Sequence, residues 1–410
     1  MSFKKIFFIF FLFRLFDFLI LFFAPRFLPY RGFFPYKEVL ANYHLPSWIT
    51  SLANFDGVHY LLIAQQGYSQ YEQAFFPLYP LLIKITAPIF FSNSLIAGLF
   101  ISNLSFLLGL YFFSQLLKIY RITNNEYLIT ILLLFPTSFF FGALYTEGLF
   151  FFLISASLYF LKKKKYFAAS FFAFFASLTR VIGVFLIIPF VFHFCRKRHN
   201  NLNNLRGYLK PNFLISQFLN FLKFLISNIQ YPISLFSPLL GFSFYSLYLW
   251  QTTGDPLFFL TSQPVFGANR STKLILLPQV FWRYLKIFFT ASFNFQYFVS
   301  LFEFFIFNFV FVILILDLLK NIKIKFYPNI EYRISNIDLT AVNIFSLANL
   351  LLPTLTGTFS SLPRYSLFSL SFFIYLSQIK NKLIKISIIL VFLIFHLITL
   401  AFFGQGYFIS

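Results

Sequence analysis

KKKKYFAASFFAFFASLTRVIGVFLIIPFVFHFCRKR, residues 162–198, decides the architecture. Two basic clusters bracket an apolar run, residues 166–194, that would be about 43 Å long as a single helix. That is too long for one crossing of a hydrocarbon core ~30 Å thick and too short for two. Basic clusters favour the cytoplasmic side of a membrane. If both ends stay there, the run must turn back, and Thr179 and Arg180 mark the turn. Backbone broken at membrane depth survives only when buried in protein or lining a wet cavity. The stretch therefore predicts short paired helices around a polar cavity that opens on the outer face.

The remaining sequence extends this reading to the whole chain. Of its 410 residues, 59% are hydrophobic and only 10% charged, outside the composition of a soluble globular domain. Apolar runs recur near residues 6–23, 95–117, 127–144, 148–161, 166–178, 181–194, 230–250, 298–319, 339–355, 365–376 and 383–403. They predict an all-α polytopic protein with about eleven transmembrane or part-spanning helices, and one membrane domain over 1–410. The pair over 127–161, turning at Tyr145, Thr146 and Glu147, repeats the broken pattern. The N-terminal run to Phe23 reads as a retained first span, because it is long, carries Arg14 and Asp17, and ends in FFAPR, a poor cleavage site. Arg14 and Asp17, at i and i+3, are placed to neutralise each other.

The net charge of +21 does not point to nucleic acid. The basic residues form short clusters between apolar runs, which is the pattern of a topology signal. One set of alternate loops holds 21 of the 32 Lys and Arg residues and the opposite set 10, with Arg14 inside the first span. The richer set, including Lys4, Lys118, Lys162, Arg196, Arg206, Lys210, Lys223, Lys325 and Lys380, is expected in the cytoplasm. Asp56, His59, Glu72, Gln73, Glu147, Arg180, Asp255, Arg270 and Arg364 then fall on the outer side. The lone Cys195 excludes an internal disulfide and a thiolate metal cluster. The 72 phenylalanines carry no functional message in an oily fold.

Residues 24–94 form the largest expected outer segment. Pro77, Pro80 and Pro88 within AFFPLYPLLIKITAPIFF argue for an interfacial or re-entrant piece over a full span. The Asn-rich stretch 199–212 reads as a cytoplasmic loop.

Asp56 is the first candidate for chemistry. A carboxylate in an aromatic setting, with His59 one turn on, suits a general base for a sugar hydroxyl; FDGVHYLLIAQQ equally reads as a helix start with Asp56 as N-cap. His59 alone supports no metal site, because no second histidine is near, so no cofactor is assigned and a divalent metal is unsupported. Glu72 and Gln73 suit sugar hydroxyls or simply solvate the loop. Arg180 and Arg364 sit at the outer tips of short spans, where an unpaired charge is costly. A phosphate suits their planar fork, and a salt bridge, with Glu147 as the partner, is the alternative. Glu147 also suits a helix start by its dipole. Asp255, Gln263, Asn269 and Arg270 add hydrogen-bonding groups in the loop 254–271.

Five stretches, in order, carry a family resemblance. NFDGVHYLLIAQQGY (54–68) with EQAFFPLYPLL (72–82), FPTSFFFGALYTEGLFF (135–151), ASLTRVIGV (176–184), LWQTTGDPLFFLTSQ (249–263) and SSLPRYSLFSL (360–370) resemble the PIG-V-type mannosyltransferases, which add the second mannose of glycosylphosphatidylinositol anchors. The resemblance implies the GT-C glycosyltransferase fold and an active site on the outer or lumenal face. It further implies a polyprenyl-phosphate sugar donor, an inverting transfer and a glycolipid or glycoprotein acceptor. By the same resemblance Asp56 is the catalytic base with His59 beside it, and Arg180 and Arg364 hold the donor phosphate. The sequence departs from the family at Phe55, where a tryptophan usually precedes the acid. A flippase or other transporter of lipid-linked saccharides is the rival reading, although transporters place ionisable groups at the midplane between repeats and no repeat is visible here.

Overall fold

The computed structural model describes residues 1–31, 37–202, 230–267, 270–323 and 330–409, which contain helices and turns and no strand. Arg206, Lys210, Lys223, Lys325, Asn269 and the expected inner loop from residue 203 lie outside the described residues. Among the described residues six helices are long and apolar enough to cross a membrane: Phe3–Arg26, Ser94–Ile119, Gln230–Thr253, Phe295–Asn321, Ile337–Thr356 and Lys382–Gly404. The other apolar runs appear as shorter helices, Leu78–Phe90, Asn125–Leu134, Tyr166–Thr179 and Val181–Cys195 among them, with Glu147–Lys162 and Leu370–Ser377.

The opening stretch folds back on itself as its length demanded. The helix Tyr166–Thr179 stops at Arg180, whose backbone is extended, and a 3₁₀ segment Val181–Leu186 starts the return. The two ends meet again: the Tyr166 ring lies 5.9 Å from His193 and 5.4 Å from Phe194. A glycine permits the tight reversal. A Cβ on Gly183 would stand 2.5 Å from backbone atoms of Ala176 and Ser177. The second expected pair also returns, with Lys162 over the Tyr120 ring at 5.8 Å. Its helix Asn125–Leu134 ends earlier than the apolar run suggested, because residues 135–146 form tight turns that cradle the polar site.

Small residues bring helices together where lipid offers no hydrophobic drive for association. Along Gln230–Thr253, Ser234, Gly241, Tyr245 and Leu249 are buried, whereas Ile233, Phe236, Leu240, Phe244 and Leu247 are exposed. The spacing of both sets is helical, so one stripe meets protein and the other meets lipid. On the buried stripe Ser170 donates to Ser234 at 2.9 Å, and a Cβ on Gly241 would lie 2.2 Å from the Phe174 carbonyl oxygen.

Arg14 and Asp17 neutralise each other as their spacing suggested. Arg14 Nη1 donates to Asp17 Oδ2 at 2.5 Å and Nη2 to the Gly142 carbonyl at 3.2 Å. A third partner was not legible from spacing: His396 Nε2 lies 2.8 Å from Asp17 Oδ1, and its Nδ1 lies 3.2 Å from Ser138 Oγ. The order acid, imidazole, hydroxyl resembles a hydrolase triad, but all three residues are shut in the core and Ser138 already donates to the Leu133 and Phe135 carbonyls. The cluster therefore ties the first span, the last span and the 135–142 turn into one frame.

The described members of the two sets that make polar contacts lie at opposite ends of the bundle. At one end Lys5 pairs with Glu126, Lys162 with Asp338, and Lys320 donates to Gln378. At the other end lie Asp56, Glu147, Arg180, Arg270 and Arg364. Two elements there shape the site. The helix Leu78–Thr86 starts after Pro77 and passes at Pro88 into a 3₁₀ turn, so its 13 residues to Phe90 are about 20 Å long, short of a crossing. Its Leu81, Ile85 and Ile89 form an exposed apolar row. The amphipathic helix Leu277–Thr290, which was not expected from hydropathy, exposes Trp282 and Phe289 and buries Val280 and Tyr284.

Candidate active site

Asp56 is the first residue of the helix Asp56–Gln66, and Phe55 occupies the cap position. The N-cap reading of Asp56 is thereby corrected, because its carboxylate turns away from the helix end to accept from Arg364 Nη1 at 2.7 Å. Phe55 has φ 59° and ψ −117°, a conformation that costs a residue with a side chain on the order of 1–3 kcal/mol. Its surroundings hold it there. The Phe55 ring packs 5.7 Å from Phe403 and 5.2 Å from Phe408. Asn54 Nδ2 donates to the Phe403 carbonyl at 3.0 Å, and Tyr145 OH donates to the Asn54 carbonyl at 2.7 Å. Phe55 is thus a packing anchor, which explains how an aromatic is kept at this position without facing a substrate.

Arg364 comes from the far end of the chain on a four-residue helix, Leu362–Tyr365, entered through Ser361 at φ 66°. Thr137 fixes that helix by donating to the Pro363 carbonyl at 2.8 Å. The preceding loop is held by the amphipathic helix. Arg283 donates to the Gly357 carbonyl at 3.0 Å, and Tyr284 OH, which accepts from the Phe359 amide at 3.0 Å, donates to Glu303 at 3.0 Å.

Glu147 opens its own helix and is fully buried. It accepts from Arg180 Nη1 at 2.5 Å, and Arg364 Nε lies 3.1 Å from the same oxygen without hydrogen-bond alignment. Arg180 also donates to Thr146 at 3.0 Å and lies 4.6 Å over the Tyr365 ring. Asp56, Arg364, Glu147 and Arg180 therefore form a chain of alternating charge that sums to zero. The salt-bridge alternative for Arg180 is what the structure contains. Burial pushes the Asp56 carboxyl up, but the adjoining Arg364 charge and hydrogen bond, with His59 and Arg270 nearby, more than offset it and hold the group below the usual aspartate range. Burial works against the Arg364 charge too, and Asp56 and Glu147 outweigh it, raising its pKa well above the usual value.

A cavity of about 440 Å³ opens in front of this chain. Asp56, Tyr60, Arg180, Arg364, Arg270, Lys273 and Ser361 are among its polar lining, and Val181, Phe242, Leu257 and Leu352 are among its apolar lining. Among the described residues Arg270 donates only to neutral groups, Gln263 Oε1 at 2.8 Å and Ser361 Oγ at 3.2 Å. The Lys273 ammonium has no partner among the described residues. The cavity thus carries about two uncompensated positive charges beside one buffered carboxylate.

Other expected residues are placed differently. His59 Nδ1 lies 3.2 Å from Glu72 Oε1, and its ring stacks on Phe75 at 5.0 Å. Glu72 Oε2 accepts from the Ser69 amide at 3.0 Å. The His59 ring and Glu72 thus brace the wall behind Phe75 and do not line the cavity. The Gln73 side chain is also off it, while its carbonyl accepts from Tyr245 OH at 2.7 Å. Asp255 holds its own turn, accepting from the Leu257 amide at 2.8 Å and Thr261 at 3.2 Å. Tyr60, Lys273, Ser361 and Tyr365 line the cavity without having been singled out. Tyr60 had a signal, since it stands at i+4 from Asp56 and shares its helix face. Lys273 is one of the ten Lys and Arg residues of the outer set, and charge counting gives it no role in a site.

A helical protein with apolar spans, and with a buried ionised cluster beside a cavity at one end, has the architecture of an integral membrane protein with a polar site. The family model described as Mannosyltransferase (PIG-V) matches residues 7–256, and the chain belongs to that family. It is a glycosyltransferase. No curated protein and no solved structure matches the chain. Asp56, Glu147 and Arg180 fall inside the matched region, whereas Arg270, Lys273 and Arg364 reach the site from beyond it.

Proposed function

We propose that the protein is an inverting mannosyltransferase of GT-C type. It transfers mannose from a polyprenyl-phosphate donor to a lipid-linked or protein-linked acceptor on the outer or lumenal face. One observation carries this reading: the cavity that the Asp56 carboxylate lines is also lined by Arg270 and Lys273, two cations with no acidic hydrogen-bond partner among the described residues, and has an apolar wall. A polyprenyl-phosphate sugar is a phosphodiester with one negative charge, and the leaving polyprenyl phosphate carries nearly two at neutral pH. The uncompensated charge of the cavity matches the product better than the substrate, which is the condition for accelerating the reaction. The apolar wall suits the first isoprene units.

In the proposed step the acceptor hydroxyl attacks the anomeric carbon as its proton passes to Asp56. The bond from that carbon to the phosphate oxygen breaks, and the electron pair leaves with the phosphate through an oxocarbenium-like state. Arg364 keeps the carboxylate ionised and aimed. Glu147 and Arg180 hold Arg364 in turn, so these residues act as positioning groups, and Arg270 with Lys273 receives the phosphate. The basic-rich end of the bundle is assigned to the cytoplasm by its charge. Residues 24–94, with the exposed row Leu81, Ile85 and Ile89, are assigned to the opposite interface.

Purified protein in nanodiscs, supplied with radiolabelled polyprenyl-phosphate mannose and total membrane lipid, tests the reading. Label moving to a new lipid or protein product supports it. Label that crosses the bilayer without changing its carrier would instead support the transporter.

A further inference from the structure

Four buried tyrosines near the site give their hydroxyls to protein acceptors. Tyr79 donates to the Gly98 carbonyl at 3.0 Å, Tyr145 to the Asn54 carbonyl at 2.7 Å, Tyr245 to the Gln73 carbonyl at 2.7 Å and Tyr284 to Glu303 at 3.0 Å. Tyr60 departs from this pattern. It is 7% exposed and lines the cavity, yet its hydroxyl makes no hydrogen bond among the described residues and is not sealed off by protein. The ring is held edge-on, 5.1 Å from Phe75 and 5.2 Å from Tyr79, so the phenol cannot turn away to find a partner. A buried hydroxyl left unpaired is costly and uncommon. Fixed at a cavity wall, it is suited to a group that enters the cavity.

The surroundings specify that group. Burial raises the Tyr60 pKa, and Asp56 and Glu147 raise it further against the opposing charges of Arg180 and Arg364. The phenol is therefore a neutral donor at any working pH. The four charges acting on it sum to zero, so an ionic ligand gains little there. A phosphate is better served by Arg270 and Lys273, and what remains for Tyr60 is a neutral hydroxyl. Tyr365 and Phe408 also line the cavity, and aromatic faces of this kind pack against the C–H face of a sugar. Tyr60 stands at i+4 from Asp56 on one helix, which sets their Cβ atoms about 5–6 Å apart. A single sugar ring spans that separation.

We propose that the Tyr60 hydroxyl binds a hydroxyl of the transferred sugar and so determines which sugar is held in reach of Asp56. The proposal rests on the transfer reading above and deepens it: Arg270 and Lys273 recognise the phosphate of the donor, and Tyr60 recognises its sugar. Tyr60 moves no proton in the step; it fixes the ring so that the anomeric carbon meets the acceptor hydroxyl. A donor whose hydroxyl is missing or points elsewhere leaves the phenol unpaired, which is how a polar site rejects an analogue.

The test uses the full chain in nanodiscs with farnesyl-phosphate mannose and a series of monodeoxy donors, each lacking a different sugar hydroxyl. Tyr60→Phe removes one oxygen atom. Its melting temperature should be no lower than the parent's, because no hydrogen bond within the protein is lost. Its kcat/KM for the intact donor should fall about tenfold, as expected for one neutral hydrogen bond. In the parent one monodeoxy donor should show a loss of similar size, and in Tyr60→Phe that donor should match the intact one to within about twofold. Only direct contact produces this non-additivity, since a structural role lowers every donor by one factor. A uniform loss across the series, or a Tyr60→Phe protein as active as the parent, overturns the proposal. A parent that transfers no mannose removes the transfer reading and the proposal with it, whereas a parent that transfers mannose without this coupling removes the assignment of Tyr60 alone.

Discussion

Arg364 donates a 2.7 Å hydrogen bond to Asp56 across 308 residues of sequence. This contact joins the segment that bears the acid to the segment that bears the cation, and it sets the protonation state of the acid. A base must be ionised before it can accept a proton, and this carboxylate is held ionised by a charge that cannot itself be titrated away.

Asp56→Asn keeps an oxygen for Arg364 to contact but removes the basic group. The rate of mannosyl transfer should fall on the order of 10²–10⁴-fold, with yield and elution profile in detergent unchanged. A variant retaining a tenth of the parental rate would remove Asp56 from the role of base.

The pH dependence follows from the lowered Asp56 pKa. A carboxyl held below its unfolded value of ~3.9 contributes stability that is present above that value and is lost as pH falls through the folded pKa. Activity should accordingly show no acid limb from pH 5 to 7. In Arg364→Gln the largest offsetting charge is gone and burial is left opposed only by weaker charges, so the limb should move upward into that window. Arg364→Lys should keep most of the shift. An acid limb at the same pH in parent and Arg364→Gln would contradict the account.

Arg270→Gln and Lys273→Gln each remove a cation that makes no ion pair with a carboxylate among the described residues. Each should raise the donor KM about tenfold, equivalent to ~1.4 kcal/mol, with the double variant near a hundredfold. Substitutions of Arg180 should behave differently, because removing it leaves Glu147 buried beside a single arginine. Arg180→Gln is therefore expected to lower thermal stability first. Melting curves run beside the donor titrations separate the two effects, and a donor KM insensitive to both Arg270→Gln and Lys273→Gln would move the phosphate elsewhere.

Asp17→Leu leaves Arg14 buried without its ion-pair partner. Breaking one side of a buried pair costs roughly 3–5 kcal/mol, which should appear as a large drop in melting temperature. Asp17→Leu combined with Arg14→Met should recover most of it. A double variant no more stable than the single one would deny the cluster its role as a frame.

Much of this protein was legible in one dimension. The membrane class followed from hydropathy, and the reversal at Arg180 followed from a run too long for one crossing between two basic clusters. Pairing of Arg14 with Asp17 was local, since i and i+3 share a helix face. These features depend on composition, length and short-range spacing, which the chain carries before it folds. The assembly of the site does not have that property. Whether Arg180 met a phosphate or Glu147 could not be read from either residue, because 33 positions separate them. His396 closes on Asp17 from 379 residues away. The cap reading of Asp56 failed because a distant arginine outcompetes the helix end for the carboxylate. Lys273 shares the lack of a side-chain partner among the described residues with Lys84 and Lys286, and differs from them in lining the cavity, a placement that packing assigns. Sequence alone thus determined that this chain is a helical membrane protein with ionisable groups gathered at one end. Tertiary structure decided which of those charges cancel and which remain, because Coulomb energy depends on distances that only the closed fold defines.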